Sequence, residues 1–245
     1  MAAWTNLTWP DDPYRTGQQL YRKPVPRLAA FTVWPSLTDG RAVPAAAAVV
    51  YLPLHRTRPV TVSPDAVAFG FRAVSATSPQ ELPQVTAVAD LDLMQARRHA
   101  AILAGYHLAQ DLAALQPPGP PARRGISAVA ADWTIRAPAA GLAALFDCEL
   151  DLPGEPSLGR ACQLAGITLT ETGPAWPAER HPALLAVERA LAVALVCARH
   201  HGRYEWPGVL DTQTLMTAAA WDCLPWPQAA EGGRAAQAAG PGRQQ

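Results

Sequence analysis

Short apolar runs dominate the first third of the chain, and longer apolar stretches with helical spacing dominate the rest. In the first part, alternating apolar and polar positions are typical of β-strands. We predict three strands there, over Leu28–Trp34, Pro44–Leu54 and Val67–Val74. The pair Asp39-Gly40 is a turn signal between the first two strands. The three strands are expected to pair as one antiparallel meander.

The pattern then alternates between helix and strand. The segment Asp90–Gly105 is predicted to be a helix, with Asp90 as its N-cap and Gly105 as the residue that ends it. Short strands around His107 and Phe146 are expected to extend the sheet. Strands followed by this alternation predict a mixed α/β sheet with helices on its faces.

Further helices follow along the chain. Asp111–Leu115 begins a short helix, and Ile126–Ile135 is either a short strand or a helical piece. Ser157–Gly166 is predicted as a helix closed by its glycine. His181–Arg199 has the longest apolar pattern and is predicted as a long helix, and Val209–Trp221 as a last one.

Composition divides the chain into four parts. Residues 1–26 form an irregular amino-terminal arm, residues 27–205 the folded domain, and residues 206–224 a helical extension. Residues 225–245 are rich in Gly, Ala and Gln and are predicted to be disordered. The arm carries aromatic residues expected to pin it to the domain: Trp4, Trp9, Tyr14 and Tyr21.

Overall composition narrows the functional classes. The formal net charge is +0, which argues against tight, non-specific binding to a polyanion. The chain has neither a signal-peptide pattern nor a run of about 18 apolar residues, so we expect no membrane association. Its 4 cysteines lack C-x-x-C spacing, which disfavours a zinc ribbon. Reduced thiols in the cytoplasm are therefore expected.

Three separated motifs carry the candidate chemistry. Gly105–Asp111 has the sequence GYHLAQD, Asp147 follows the apolar residues 143–146, and His181 opens the long helix. This order and spacing resembles the DEDD-type 3′–5′ exonucleases of the ribonuclease H-like superfamily over residues 27–205. The resemblance implies three antiparallel strands followed by alternating helices and strands. It also implies hydrolysis by two divalent ions, Mg²⁺ or Mn²⁺, held by several carboxylates.

The match to that family is uneven. Thr32 and Trp34 stand where the resemblance requires an Asp and a Glu on the first strand, and Ala186 stands where it requires the last Asp. Asp111 matches the second Asp, and His181 matches the general base. One of the four metal-binding acids therefore remains, and both matched residues are interpreted as vestigial catalytic residues. Asp147 aligns with a structural acid between the motifs.

Two other interpretations of the acids stay open. An active metal-dependent 3′–5′ exonuclease would use acids at mis-registered positions, from the set Asp90, Asp92, Asp111, Asp147 and Glu149. Asp111 and Asp147 are then the first metal ligands to consider. Alternatively, Asp147, Glu149 and Asp151 would line one face of a strand as a metal cluster, or form an ordinary acidic turn.

Each retained residue also has a structural interpretation. Asp111 is able to cap a helix, and His181 precedes Pro182 at a helix start. The pair His200-His201 closes a helix, where imidazolium complements the helix dipole.

The functional prediction is therefore a degenerate exonuclease-like domain, a pseudoenzyme that needs no cofactor and binds single-stranded nucleic acid or a protein partner. A structural protein with no role in nucleic-acid binding is the remaining alternative. The predicted phosphate contacts are adjacent arginines, whose planar guanidinium groups fit phosphate oxygens. These are Arg97, Arg98, Arg123 and Arg124.

Overall fold

The computed structural model describes residues 1–7, 26–38, 41–55, 57–63, 67–116, 123–154, 156–169, 181–220 and 223–225. The strands in these ranges are β1 (Ala2–Thr5), β2 (Arg27–Thr38), β3 (Arg41–Pro53), β4 (Val60–Thr61), β5 (Gly70–Ser75), β6 (Ile102–Gly105), β7 (Ala144–Asp147), β8 (Ile167–Thr168), β9 (Tyr204–Glu205) and β10 (Leu210–Asp211). The helices are α1 (Leu82–His99), α2 (Leu108–Ala114), α3 (Arg124–Ile135), α4 (Leu158–Leu164), α5 (Pro182–His200) and α6 (Thr212–Ala220).

Six strands form a mixed sheet in the order β1-β5-β3-β2-β6-β7. The strands β2, β3 and β5 are antiparallel neighbours, which confirms the predicted meander. The strands β6 and β7 continue the sheet from β2 as parallel neighbours. Parallel strands need crossover connections, and α1 and α3 supply them. The coarse prediction of a mixed α/β sheet with helices is confirmed.

Alternation along β2 divides the core into two layers. Leu28 and Ala30 face the helix α5, whereas Phe31 and Val33 face α1, α2 and α3. This follows from the two-residue period of a strand, because each face of the sheet is buried by helices. Every residue of α5 from Ala183 to Ala198 is buried except Arg189, so α5 is a core helix rather than a surface one.

The predicted helix Asp90–Gly105 is wrong in both boundaries. The helix α1 begins at Leu82, where Pro83 suits the first turn, and Asp90 lies in its middle. It ends at His99, and Ile102–Gly105 is the buried strand β6. A short apolar run buried on both faces has no alternation, so its sequence does not separate a strand from a helix.

Gly105 ends a strand because the chain turns tightly into α2. A Cβ atom at Gly105 would lie 2.7 Å from the Cβ of Leu108. His107, predicted to lie on a short strand or turn, instead precedes α2 with φ 54 in the left-handed region. The strand that extends the sheet is β6, just before it.

The amino-terminal arm is partly regular. Residues 2–5 form the edge strand β1, antiparallel to β5. The side chain of Asn6 donates to the carbonyl of Phe69 and accepts from the amide of Phe71, which fastens the end of this strand. Trp4 packs against the core, as predicted. Trp9, Tyr14 and Tyr21, the Asp39-Gly40 turn and the tail 226–245 lie outside the described residues.

The remaining elements follow the sequence patterns closely. The segment 126–135 is the helix α3 rather than a strand. The Ser157 side chain caps α4, and Gly166 follows this helix with φ +63. The predicted helix Val209–Trp221 becomes the short strand β10, paired with β8, followed by α6. None of the helices in the described part of the chain is long and apolar enough to cross a membrane.

Candidate functional site

The retained motifs converge at the carboxyl ends of the parallel strands β2, β6 and β7. The chain passes from β2 to β3 and β5 on one side and returns to β6 on the other, so the direction of strand order reverses between β2 and β6. Ligands in open α/β sheets bind at such a point. We call this region the strand-end site and define it by Thr32, Tyr106, Asp111, Asp147 and Arg189.

Asp111 reaches the edge of β2. The pairing of β6 with β2 covers Leu28–Ala30, whereas β2 continues to Thr38. Beyond the end of β6, the amide of Val33 donates to Oδ2 of Asp111 at 3.0 Å. The carboxylate therefore replaces a missing strand partner, because a buried amide without an acceptor is costly.

The surroundings of Asp111 strongly affect its charge. Burial raises the pKa of Asp111 to about 7. The Val33 hydrogen bond and the positive charge of Arg189 oppose this rise, and the negative charge of Asp147 adds to it. Neutral and ionised Asp111 are thus both populated near pH 7.

The first and last motif positions also meet. Oγ1 of Thr32 donates to the carbonyl oxygen of Ala186 at 2.9 Å, and the bond is buried. Thr32 is adjacent to Val33, which binds Asp111. Three of the four positions that the resemblance aligns with metal-binding acids therefore lie together, although only Asp111 carries a carboxylate. These three are Thr32, Asp111 and Ala186.

Arg189 brings a positive charge to this region. It lies three residues after Ala186 on α5, so both lie on the same side of the helix. Its guanidinium carbon lies 5.3 Å from the ring centroid of Tyr106, the residue that follows β6. This is cation–π geometry. The sequence interpretation missed Arg189 and Tyr106, although the helical spacing from Ala186 pointed to the arginine.

Asp147 has its own partners at the end of β7. Its Oδ2 accepts from Nε1 of Trp133 at 3.0 Å, and its Oδ1 accepts from the amide of Glu149 at 2.9 Å. Its own amide donates to Asp151, which also pairs with Arg136. These contacts give Asp147 a structural role.

The proposed metal cluster of Asp147, Glu149 and Asp151 is not formed as predicted. The strand β7 ends at Asp147, and the following residues form a turn, so the three carboxylates do not share one strand face. Oε2 of Glu149 instead contacts Nδ1 of His107 at 2.7 Å. Within the described ranges, no group of three or more His, Cys, Asp or Glu side chains is arranged to hold a metal ion.

His181 lies away from Asp111 along the sheet. Its Nδ1 accepts from the amide of Ala183 at 3.2 Å, so it caps α5. Its ring packs 4.7 Å from that of Trp4 on β1, and burial lowers the pKa of His181. Trp4 is separated from Thr32 by three strand spacings, about 14 Å. The structural interpretation of His181 accounts for its contacts.

The acids of α1 are also engaged elsewhere. Oδ1 of Asp90 accepts from the amide of Ile126 at 2.9 Å, which joins α1 to α3. Oδ1 of Asp92 pairs with Arg72 on β5 at 2.8 Å, and burial raises the pKa of Asp92 to about 6 against the opposing charge of Arg72. These partners separate both acids from the strand-end site.

The four predicted phosphate contacts divide into two groups. Arg97 forms an ion pair with Asp132, and Arg98 is exposed beside it near the end of α1. Arg123 donates to the carbonyl of Pro83 at the start of α1, and Arg124 is exposed nearby. About 20 Å of helix separates the two groups, so they do not form one patch.

The two histidines predicted to close the long helix pack against a buried aromatic ring. His200 is the last residue of α5 and His201 follows it, and their rings lie 5.1 and 5.2 Å from the ring of Phe146. Burial lowers the pKa of His201.

The chain matches no protein-family model, no curated protein and no solved structure. The geometry of its own residues therefore carries the functional argument.

Proposed function

We propose that this chain is a ribonuclease H-like domain related to DEDD-type exonucleases, which binds single-stranded nucleic acid without efficient hydrolysis. One observation carries the proposal. Hydrogen bonds join segments that carry the motif positions. Thr32 binds Ala186, 154 residues away, and Val33, next to Thr32, binds Asp111, 78 residues away. The resemblance requires these segments to lie together in the fold, and the two hydrogen bonds join them.

The order of elements gives further support. The antiparallel strands β2, β3 and β5 are followed along the chain by α1, β6, α2, α3, β7, α4 and α5. Apart from a second helix between β6 and β7 and the additional helix α4, this is the order that the resemblance implies. The strand β1 is then an addition at the sheet edge, and the short strands β4, β8, β9 and β10 lie outside the main sheet.

The proposed loss of catalysis follows from charge. Mg²⁺ exchanges its waters only for several oxygen ligands in near-octahedral geometry. At the four aligned positions, Asp111 is the single carboxylate, and its Oδ2 already accepts from Val33. Arg189 adds a positive charge near it, which repels a divalent cation. Two-metal hydrolysis therefore has no ligand set here.

Nucleic acid is the favoured ligand because the strand-end site combines a guanidinium group with an aromatic ring. Guanidinium groups bind phosphate oxygens, and aromatic rings stack on bases of single strands. With a formal net charge of +0, the chain lacks a general electrostatic attraction for polyanions. Binding is thus expected to be local and to depend only weakly on salt.

The test of the proposed relationship is to restore the missing acids. A variant with Thr32→Asp, Trp34→Glu and Ala186→Asp should bind Mn²⁺, measured as a metal-dependent rise in Tm of at least about 3 °C. Adding Asp111→Asn should remove that rise. The comparison is made within each variant, with and without Mn²⁺, because buried acids lower the starting stability.

Three results would count against the proposal. If Mn²⁺ leaves the restored variant unchanged, the three positions do not form a former metal site. If the unmodified protein releases 3′ mononucleotides with Mg²⁺ or Mn²⁺ and Asp111→Ala abolishes this, it is an active exonuclease. Absence of binding to single-stranded DNA and RNA by fluorescence anisotropy would contradict the nucleic-acid part of the proposal.

A further inference from the structure

Arg189 occupies the side of α5 on which the resemblance would put the last metal-binding acid. Ala186, one turn earlier, contacts Thr32 through its carbonyl oxygen. From this position Arg189 contacts the ring of Tyr106 at 5.3 Å. The guanidinium group therefore lies beside the residue that follows β6, on the side of α5 that contacts β2 through Ala186.

The neighbours of Arg189 orient it. The ring of Tyr106 is itself fixed by an edge contact with His107 at 4.2 Å between ring centroids. His107 is held in turn by Glu149 at 2.7 Å. His107 and Glu149 have 29% and 34% of their side-chain surface exposed, so this chain of contacts reaches solvent at the rim of the site.

We propose that Arg189 replaces the metal ions as the group that holds a phosphodiester, so that the strand-end site binds single-stranded nucleic acid without a divalent cation. This inference rests on the proposed function and names the residue and the ion dependence of that binding. The phosphate oxygen accepts hydrogen bonds from the guanidinium group, and the aromatic ring beside it offers a surface for the adjacent base.

The charge balance agrees with this arrangement. Arg189 and ionised Asp111 have opposite charges that act on each other, so the site attracts a divalent cation less than an acid cluster would. A phosphate group that approaches Arg189 further disfavours the ionised form of Asp111, which is already easily protonated. We therefore expect binding to become tighter as the pH falls from 8 to 6.

The experiment measures binding of short single-stranded DNA and RNA by fluorescence anisotropy, in EDTA and in Mg²⁺. The unmodified protein should have the same Kd in both, within about twofold. Arg189→Gln should weaken binding by about tenfold or more, since a hydrogen bond to a charged group is lost. Arg189→Lys should retain part of the affinity. Inorganic phosphate as a competitor distinguishes recognition of the phosphate alone from recognition of the strand.

The matched control is Arg199→Gln. Arg199 lies on the same helix and its guanidinium carbon also covers an aromatic ring, that of Trp206 at 4.7 Å. It donates to the carbonyl of Ala165 and lies about 15 Å along α5 from Arg189. This variant should bind within about twofold of the unmodified protein.

The experiment distinguishes failure of this inference from failure of the proposed function. If the unmodified protein binds and Arg189→Gln binds equally well, or if binding requires Mg²⁺, this inference is wrong and the proposed function stands. If the unmodified protein binds neither DNA nor RNA, both are wrong. Should Arg189→Gln fail to fold by circular dichroism, Tyr106→Leu removes the ring that orients Arg189. It should weaken binding several-fold, and unchanged binding in that variant would also refute the inference.

Discussion

Two aspartates, the buried Asp92 and the partly exposed Asp111, each lie near an arginine and have different roles in this molecule. Asp92 contacts Arg72 directly at 2.8 Å, and the pair joins α1 to the sheet. Asp111 accepts from a backbone amide, while Arg189 acts on it by charge and stacks on Tyr106. Burial raises the pKa in both cases, to about 6 for Asp92 and about 7 for Asp111.

The comparison shows what separates a structural ion pair from a candidate binding site. In the first, the arginine is committed to one carboxylate in the interior. In the second, the carboxylate accepts from a backbone amide, and the arginine contacts the ring of Tyr106 at the site where we propose that a ligand binds. Substitutions should therefore affect mainly stability at the first and mainly binding at the second.

The largest expected effect is at the structural pair. Arg72→Met leaves Asp92 buried without its cation, which should lower the free energy of unfolding by about 3 kcal/mol at pH 7. The loss should be smaller at pH 5, because Asp92 is then mostly protonated. Urea denaturation at the two pH values measures this. Arg98→Met is the control, because Arg98 lies at an exposed position of α1, the helix that carries Asp92. It should change stability by less than about 0.5 kcal/mol.

His181→Ala tests whether the retained histidine is structural. It removes the side chain that accepts from Ala183 at the start of α5, and should cost about 1 kcal/mol of stability. Nucleic-acid binding should stay within about twofold, because His181 packs on Trp4 rather than beside Asp111. Loss of binding with unchanged stability would instead give His181 a role in the site.

Asp111→Asn tests the strand-end site through pH. The pKa of Asp111 is raised in the folded state, so its stabilising contribution is complete below pH 4 and is lost as the pH rises through about 7. The asparagine variant keeps an oxygen acceptor for Val33 but does not ionise. It should be more stable than the unmodified protein at pH 8, by an amount of order 1 kcal/mol. Equal pH profiles of Tm for the two proteins would show that Asp111 does not titrate in this range.

The smallest expected effect is that of divalent ions. With one carboxylate at the aligned positions, Mg²⁺ or Mn²⁺ at millimolar concentration should shift Tm by less than about 1 °C. Differential scanning fluorimetry with Ca²⁺ and with added NaCl as controls measures this. A large, saturable rise with Mn²⁺ would reveal a metal site that the described residues do not form.

Sequence patterns were sufficient to predict some elements of the fold and insufficient for others. The strand β2 and the helix α5 were predicted within a few residues, because each has a sustained apolar pattern with its own period. The strand β6 was taken for the end of a helix, since four buried apolar residues have no period of their own. The edge strand β1 was missed because it is stabilised by pairing with β5 and by the bond between Asn6 and Phe71, and these partners are distant in sequence from it.

The sequence by itself determined the layers of this protein and the residues at the motif positions of the resemblance, where Asp111 is the single acid. Hydrophobic period and residue identity are local properties, so they are present in the chain before it folds. The tertiary structure alone decided that Asp111 binds Val33, that His181 lies against Trp4, and that Arg189 lies beside Tyr106. These contacts depend on how β2, β6 and α5 approach each other, and the packing of side chains from distant segments sets that approach.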